Sequence, residues 1–246
     1  MSIVNPAERY LSEEDRLIAE TYGFGACNGV GARPAVLVVD VNYTFVGEAR
    51  EPIANAIKKR RNACGLRAWA AVDTLRDVLA AARGKGLPIV YTTGDKRPDL
   101  TTLGANPLKK AATVANLALH NLRDGNDIID EIAPRSEDIV IRKTKPSAFF
   151  GTPLVSYLTA LRVDSLFVTG GVTSGCVRAS VVDAFSNNYP CTLIKDCCFD
   201  RFEASHAMSL FDLGAKYAEI ASSEDAIARI RALPDEPFGS RSNIEA

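Results

Sequence analysis

The chain has 246 residues, 47% of them hydrophobic and 24% charged, with a formal net charge of −1. That is enough chain for one α/β domain with a substantial core, and too little charge asymmetry to make nucleic acid or an acidic membrane surface the natural partner. The opening MSIVNPAERYLSEEDRL has no basic start followed by an apolar stretch, no run approaches the roughly 18 apolar residues of a membrane helix, and the six cysteines include no CxxC, so the chain reads as a cytoplasmic protein with reduced thiols.

Residues 1–34 read as an N-terminal extension with one helix, Ser12 to Tyr22, and a glycine-rich passage, Gly23 to Gly31. The main domain is expected over 35–246. Its first strand is Ala35 to Val41 (AVLVVDV), apolar enough to be buried on both faces. Leu66 to Arg83 follows as an amphipathic helix, ending in the glycines 84 and 86 that suit a helix C-terminus. Pro88 to Thr93 is the second strand and Asp138 to Arg142 the third, with a long connection over 94–137 expected to hold a short helix and a loop. A helix at Pro153 to Leu161 leads to a fourth strand, Ser165 to Gly170, and a helix from Cys176 to Ser186. The fifth strand is Thr192 to Lys195, followed by a helix from Glu203 to Leu213; the sixth is Tyr217 to Ala221, followed by a helix near Glu224 to Ala232. Six strands alternating with helices predict a doubly wound, six-stranded parallel sheet with helices on both faces, a three-layer Rossmann-like α/β/α arrangement.

In open α/β sheets ligands collect beyond the carboxyl ends of the strands, so reactive residues that end strands are the candidates. Cys176 stands in VTGGVTSGCVRAS, where glycines allow a sharp turn and the start of a helix gathers unpaired N–H groups and the positive end of the helix dipole. Those features favour a thiolate nucleophile and offer donors for an oxyanion; a buried structural cysteine is the competing reading. Asp40 ends the most apolar strand, where a carboxylate is costly to bury without a partner or a task, and it could take a proton from a thiol and return it to a leaving amine. Lys143 and Lys145 both follow the third strand, and spacing alone does not choose between them as the cation that would hold the two anions together.

Taken in order, VVDVNYTF, IRKTKPSAFFGTPL, VTGGVTSGCVRASVVDAF and SLFDL resemble the isochorismatase-like cysteine hydrolase superfamily over roughly residues 35–225, and TSGCVRA resembles the N-carbamoylsarcosine amidase branch with its maleamate amidase and biuret hydrolase relatives. The resemblance implies a Cys–Asp–Lys triad of Cys176, Asp40 and Lys143, the lysine being the one four residues before Ser147. It implies a cis peptide between Gly171 and Val172, and an oxyanion hole from the Val172 and Cys176 N–H groups. It also implies a homodimer or homotetramer and a small amide or ureido substrate bearing a carboxylate, with ammonia released through a thioester. Where the family often has aspartate, any residue, glutamine, asparagine, this chain has Asp40, Val41, Asn42 and Tyr43. The second-strand segment TTGDKRPDL lacks the histidines of the nicotinamidase metal site, so no metal is expected.

Substrate contacts are expected from Arg201, Asn42, Thr173 and Phe149, with Arg201 matching the position of a carboxylate anchor, a role that suits a guanidinium. Arg178 points away from the nucleophile by helical spacing. A papain-like pair would need His120 or His206, both read instead as surface or packing residues, and a redox role would need Cys197 and Cys198. Neither GxGxxG after a strand nor GxxxxGK occurs, so no nucleotide cofactor is expected. The alternatives to the hydrolase are a maleamate- or biuret-directed member of the branch and a catalytically idle small-molecule-binding member of the fold.

Overall fold

A computed structural model describes residues 7–22, 29–95, 122–235 and 237–238. The apolar runs form β1 (Pro34–Val39), β2 (Ile89–Gly94), β3 (Ile139–Lys143), β4 (Ser165–Gly171), β5 (Cys191–Phe199) and β6 (Glu219–Ala221). They make one sheet in the order β3-β2-β1-β4-β5-β6, with every neighbouring pair parallel. The chain winds outward from β1 to β3 on one side, then returns to lay β4 to β6 on the other. The direction of winding therefore reverses between β1 and β4, which opens a crevice above their carboxyl ends.

Helices are α1 (Glu13–Tyr22), α2 (Tyr43–Val46), α3 (Ile53–Lys59), α4 (Leu66–Gly84), α5 (Leu154–Ala160), α6 (Arg178–Ser186), α7 (Glu203–Lys216) and α8 (Ser223–Ala232). All six residues of β1 are buried, and they alternate between two cores. Val36 and Val38 pack with Val72, Leu75 and Leu79 of α4 and Ile230 of α8. Ala35, Leu37 and Val39 pack on the other face with Leu158 of α5, Val181 of α6 and Leu213 of α7. The strand period of two thus serves both helical layers, which is why the run carries no polar residue before Asp40.

The expected sheet is present with several boundary changes. β5 runs to Phe199 rather than Lys195, because its register against β4 shifts: Val168 lies beside Leu193 but Gly170 beside Cys198. The extra residues let Lys195 and Asp196 leave the core before Cys197, Cys198 and Phe199 return to it. β6 begins at Glu219, because the Tyr217 N–H still closes α7 by donating to the Leu213 carbonyl at 2.8 Å. The helix expected to start at Cys176 starts at Arg178, after a π-helical turn over Thr173–Val177. Helices α2 and α3 were not anticipated. Of the connection over 94–137, residues 96–121, on which a short helix was expected, lie outside the described residues; the described part carries a 3-10 turn at Asp130–Ile132.

Opposite the crevice, Arg33 fastens the bottom of the sheet. Its guanidinium donates to the carbonyls of Leu161, Arg162 and Pro237, and lies 4.4 Å from the centre of the Phe238 ring. One side chain thereby joins the start of β1, the turn before β4 and the segment beyond α8.

Two glycines test this account. Gly86, at φ +66° after α4, has open space around it, whereas Gly170, at φ +107° on β4, would drive a Cβ into the backbone of Val39 on β1. Gly86→Ala is expected to cost about 1 kcal/mol in urea unfolding, the cost of the left-handed backbone alone. Gly170→Ala is expected to cost more than about 3 kcal/mol or to fail to accumulate as folded protein, since conformational cost and steric clash add. Equal losses for the two would contradict the close β1–β4 approach.

Candidate active site

Asp40 is the first residue past β1 and is 2% exposed, with φ at +49°, a left-handed conformation that aspartate tolerates better than most residues. Its backbone N–H donates to the Thr92 carbonyl at 3.1 Å, continuing the β1–β2 ladder for one more step. One carboxylate oxygen accepts from the Thr92 hydroxyl at 2.9 Å, and the other from Lys143 Nζ at 2.6 Å.

Lys143 ends β3, which is separated from β1 by β2. Adjacent strands are about 4.8 Å apart, so only a long side chain crossing over β2 can bring a charge from β3 to Asp40. The lysine side chain does so and is 4% exposed. Its ammonium donates to Asp40 and to the Lys145 carbonyl at 3.2 Å, and Cys176 is near enough to act on its charge. The two lysines that spacing could not separate therefore have different places, Lys143 giving its charge and Lys145 its carbonyl. Burial pulls the Lys143 ammonium toward deprotonation, but the Asp40 carboxylate and then Cys176 outweigh it, so its pKa is raised.

Cys176 sits in the π-helical turn after β4, reached through a cis peptide at Gly171–Val172 as the family resemblance implies. Its thiol lies where both the Asp40 carboxylate and the Lys143 ammonium act on it electrostatically. It is half-buried, whereas the other described cysteines, Cys64, Cys191, Cys197 and Cys198, are buried; all five are free thiols. The expected thiolate is not the resting form. Burial, followed by the Asp40 charge, pushes the Cys176 thiol up to about 12, and Lys143 offsets only part of that. The helix-terminus argument is outweighed: the α-helix begins two residues later, and burial and the Asp40 carboxylate both oppose the thiolate.

Two further brackets hold the turn, and both involve residues absent from the sequence reading. Asp200, buried beyond β5, accepts from the Ser174 N–H at 2.8 Å and the Ser174 hydroxyl at 2.7 Å, while its other oxygen accepts from the Arg201 N–H at 2.7 Å. The Ser180 hydroxyl on α6 donates to the Cys176 carbonyl at 2.7 Å and accepts from the Ala148 N–H at 2.9 Å. Asp200 carries the same signal as Asp40, a carboxylate ending an apolar strand. Ending β5 at Lys195 hid it.

The expected substrate contacts are rearranged. Asn42 is fully buried, and its amide caps α2 through Phe45 N–H at 3.3 Å and donates to Thr93 Oγ1 at 3.1 Å. Thr173 is fully buried; its hydroxyl donates to the Phe199 carbonyl at 3.1 Å, leaving its lone pair 2.8 Å from His206 Nδ1. Phe149 packs in the core with its ring 6.3 Å from that of Tyr189, and its neighbour Phe150 is the exposed one. All three thus make contacts within the protein that support the site's framework. Arg201 stays on the crevice side, half-exposed, with one nitrogen donating to the Asn62 carbonyl at 3.2 Å. Arg178 pairs with Asp212 at 3.0 Å, away from the thiol. His206 is held by Thr173 rather than by Cys176, and burial lowers its pKa; His120 lies outside the described residues.

The Isochorismatase domain family model matches residues 34–225. The chain is 29% identical to the maleamate amidohydrolase of Pseudomonas putida over 208 residues, covering 83% of this chain and 90% of that protein. It is 29% identical to the N-carbamoylsarcosine amidase of an Arthrobacter species over 215 residues, covering 86% and 76%. Of solved structures, the N-carbamoylsarcosine amidase from Thermoplasma acidophilum superposes with a TM-score of 0.57 at 26% identity, covering 78% of this chain and 97% of that one. A cysteine hydrolase from Pseudomonas syringae superposes with a TM-score of 0.69 at 22% identity, covering 82% and 93%, a likeness of fold. The matched region runs from the first residue of β1 to beyond β6 and contains Asp40, Lys143 and Cys176, and the chain belongs to the isochorismatase family.

Proposed function

We propose that this protein is a cysteine amidohydrolase that cleaves a linear amide or ureido C–N bond of a small carboxylate, releasing ammonia. The observation that carries the reading is the convergence of Asp40, Lys143 and Cys176 from three separate strand ends onto one mostly buried contact. Naming of the maleamate amidohydrolase and N-carbamoylsarcosine amidase relatives supports the reaction class.

In the resting site the thiol carries the proton, Asp40 is the carboxylate and Lys143 the ammonium. As substrate enters, Asp40 takes the Cys176 proton and the sulfur attacks the carbonyl carbon. The C=O electron pair moves to oxygen, which rests on the N–H groups of Val172 and Cys176. Collapse breaks the C–N bond; the leaving nitrogen takes the proton from Asp40 and departs as ammonia, leaving a thioester. Water then attacks as Asp40 accepts its proton. Collapse expels the sulfur, which recovers that proton and frees the acid. A ureido substrate would yield a carbamate that decomposes to carbon dioxide and amine. Lys143 keeps a positive charge beside whichever partner is anionic, so no step leaves a buried charge uncompensated. Among the described residues the Val172 N–H has no backbone acceptor, which suits a donor reserved for the oxyanion.

An ammonia-release screen over N-carbamoylsarcosine, maleamate, biuret and related ureido acids is expected to find a substrate. On it, Cys176→Ala should lose at least about a thousandfold in kcat while retaining the wild-type circular dichroism spectrum; full activity would sink the mechanism. Arg201→Met should raise KM for carboxylate-bearing substrates at least about tenfold with kcat little changed, and an equal loss on a neutral amide would exclude carboxylate anchoring. The thiol's raised pKa sets the sign of a third test. Iodoacetamide labelling of Cys176 should be slow at pH 7 and rise roughly tenfold per pH unit, following the thiolate fraction. Asp40→Asn removes the negative neighbour, so it should abolish hydrolysis yet speed labelling at a given pH. Slower labelling in that variant would contradict a resting carboxylate beside a neutral thiol.

A further inference from the structure

The Ser180 hydroxyl joins two parts of the chain that the reaction needs in register. It donates its one proton to the carbonyl of Cys176 at 2.7 Å and accepts the Ala148 N–H at 2.9 Å. Ala148 lies five residues beyond Lys143, on the loop that continues from the strand carrying the ammonium. The thiol-bearing turn and the ammonium-bearing segment are thus tied through a single oxygen atom, and both Ser180 and Ala148 are fully buried, so water cannot replace either bond.

A helical serine or threonine donating back to the carbonyl four residues earlier is common and often means nothing more than local satisfaction. This chain offers internal comparisons: Thr21 to Leu17, Thr74 to Ala70 and Ser186 to Val182 all make that bond, at exposed sites. Ser180 differs in being fully buried and in taking a second bond from a segment 32 residues away. The carbonyl it holds belongs to the residue whose sulfur must meet Asp40 and Lys143.

We propose that Ser180 is a positioning residue for Cys176, fixing the turn against the Lys143 loop so that the thiol keeps both of its charged neighbours. It touches no reacting atom and acts through the Cys176 backbone. Loss of the hydroxyl leaves the Cys176 carbonyl and the Ala148 N–H without this shared partner, and the thiol is free to move relative to Asp40 and Lys143. Misplacement of a reacting group by about 1 Å can cost as much as 100-fold in rate. Because the thiol's acidity depends on its burial and on the distances to one anion and one cation, the same displacement alters its titration.

The inference rests on Cys176 as the nucleophile, and its test separates the two. Ser180→Ala should lower kcat about 10- to 100-fold with KM changed less than about 3-fold, and should shift the pH profile of iodoacetamide labelling at Cys176. Ser180→Thr keeps a hydroxyl able to make both bonds, so it should restore the wild-type labelling profile and most of kcat. Labelling is read by peptide mass spectrometry and needs no substrate, so it reports on positioning even if Cys176→Ala proves active. A Ser180→Ala protein with the wild-type labelling profile and wild-type kcat would overturn the proposal. So would a loss of activity that tracks only the fraction of folded protein, with the folded fraction labelling as wild type.

Discussion

A carboxylate and an ammonium 2.6 Å apart and almost out of contact with water are the constraint around which the upper edge of the sheet is arranged. Each alone would be expensive to bury, and removing one partner of such a pair generally costs more than the pair itself contributes. The remaining geometry supplies what the pair still lacks. Thr92 gives a hydroxyl to the second carboxylate oxygen, the Lys145 carbonyl takes another ammonium proton, and Cys176 stands beside both charges. The thiol's pKa is raised first by burial and then by the Asp40 charge, which Lys143 only partly offsets. In the proposed reaction such a thiol is activated only when its proton can move to the neighbouring carboxylate.

The fold was legible in the sequence because β1 and β4 are buried on both faces and read as unbroken apolar runs between helices. Asp40 was legible for a related reason: a carboxylate at the end of such a run conflicts with its surroundings unless it has a partner. Lys143 was not separable from Lys145 by spacing, because which of them reaches β1 depends on a path across β2 that only the three-dimensional register defines. The family resemblance selected Lys143, and the contact with Asp40 agrees with it.

What the sequence hid was mostly the support of the site. The shift in β5 register concealed Asp200, since nothing in TLIKDCCFD marks where a strand leaves the core and re-enters it. Ser180 was hidden because one of its two bonds reaches Ala148, 32 positions away. Asn42 and Thr173 show a second thing the sequence hid, the bonds they make within the protein. A polar residue near the strand ends does not announce its intramolecular partners, and here those are Phe45, Thr93 and Phe199. The thiol's acidity was misjudged in sign, because a helix dipole can be read from a sequence pattern while the proximity of a buried carboxylate cannot.

Arg33 has a meaning beyond fastening the bottom of the sheet. By gripping the backbone at Leu161, Arg162 and Pro237 together, it sets the entry into β1 and the stretch after α8 side by side, on the face of the molecule opposite the thiol. Positions 33 and 237 are therefore neighbours in space though separated by nearly the whole domain. A short peptide could splice them while new chain ends were opened in a surface loop elsewhere, and the order of the strands would then be circularly permuted without altering any residue at the crevice. Connectivity at the bottom of this sheet is separable from chemistry at the top.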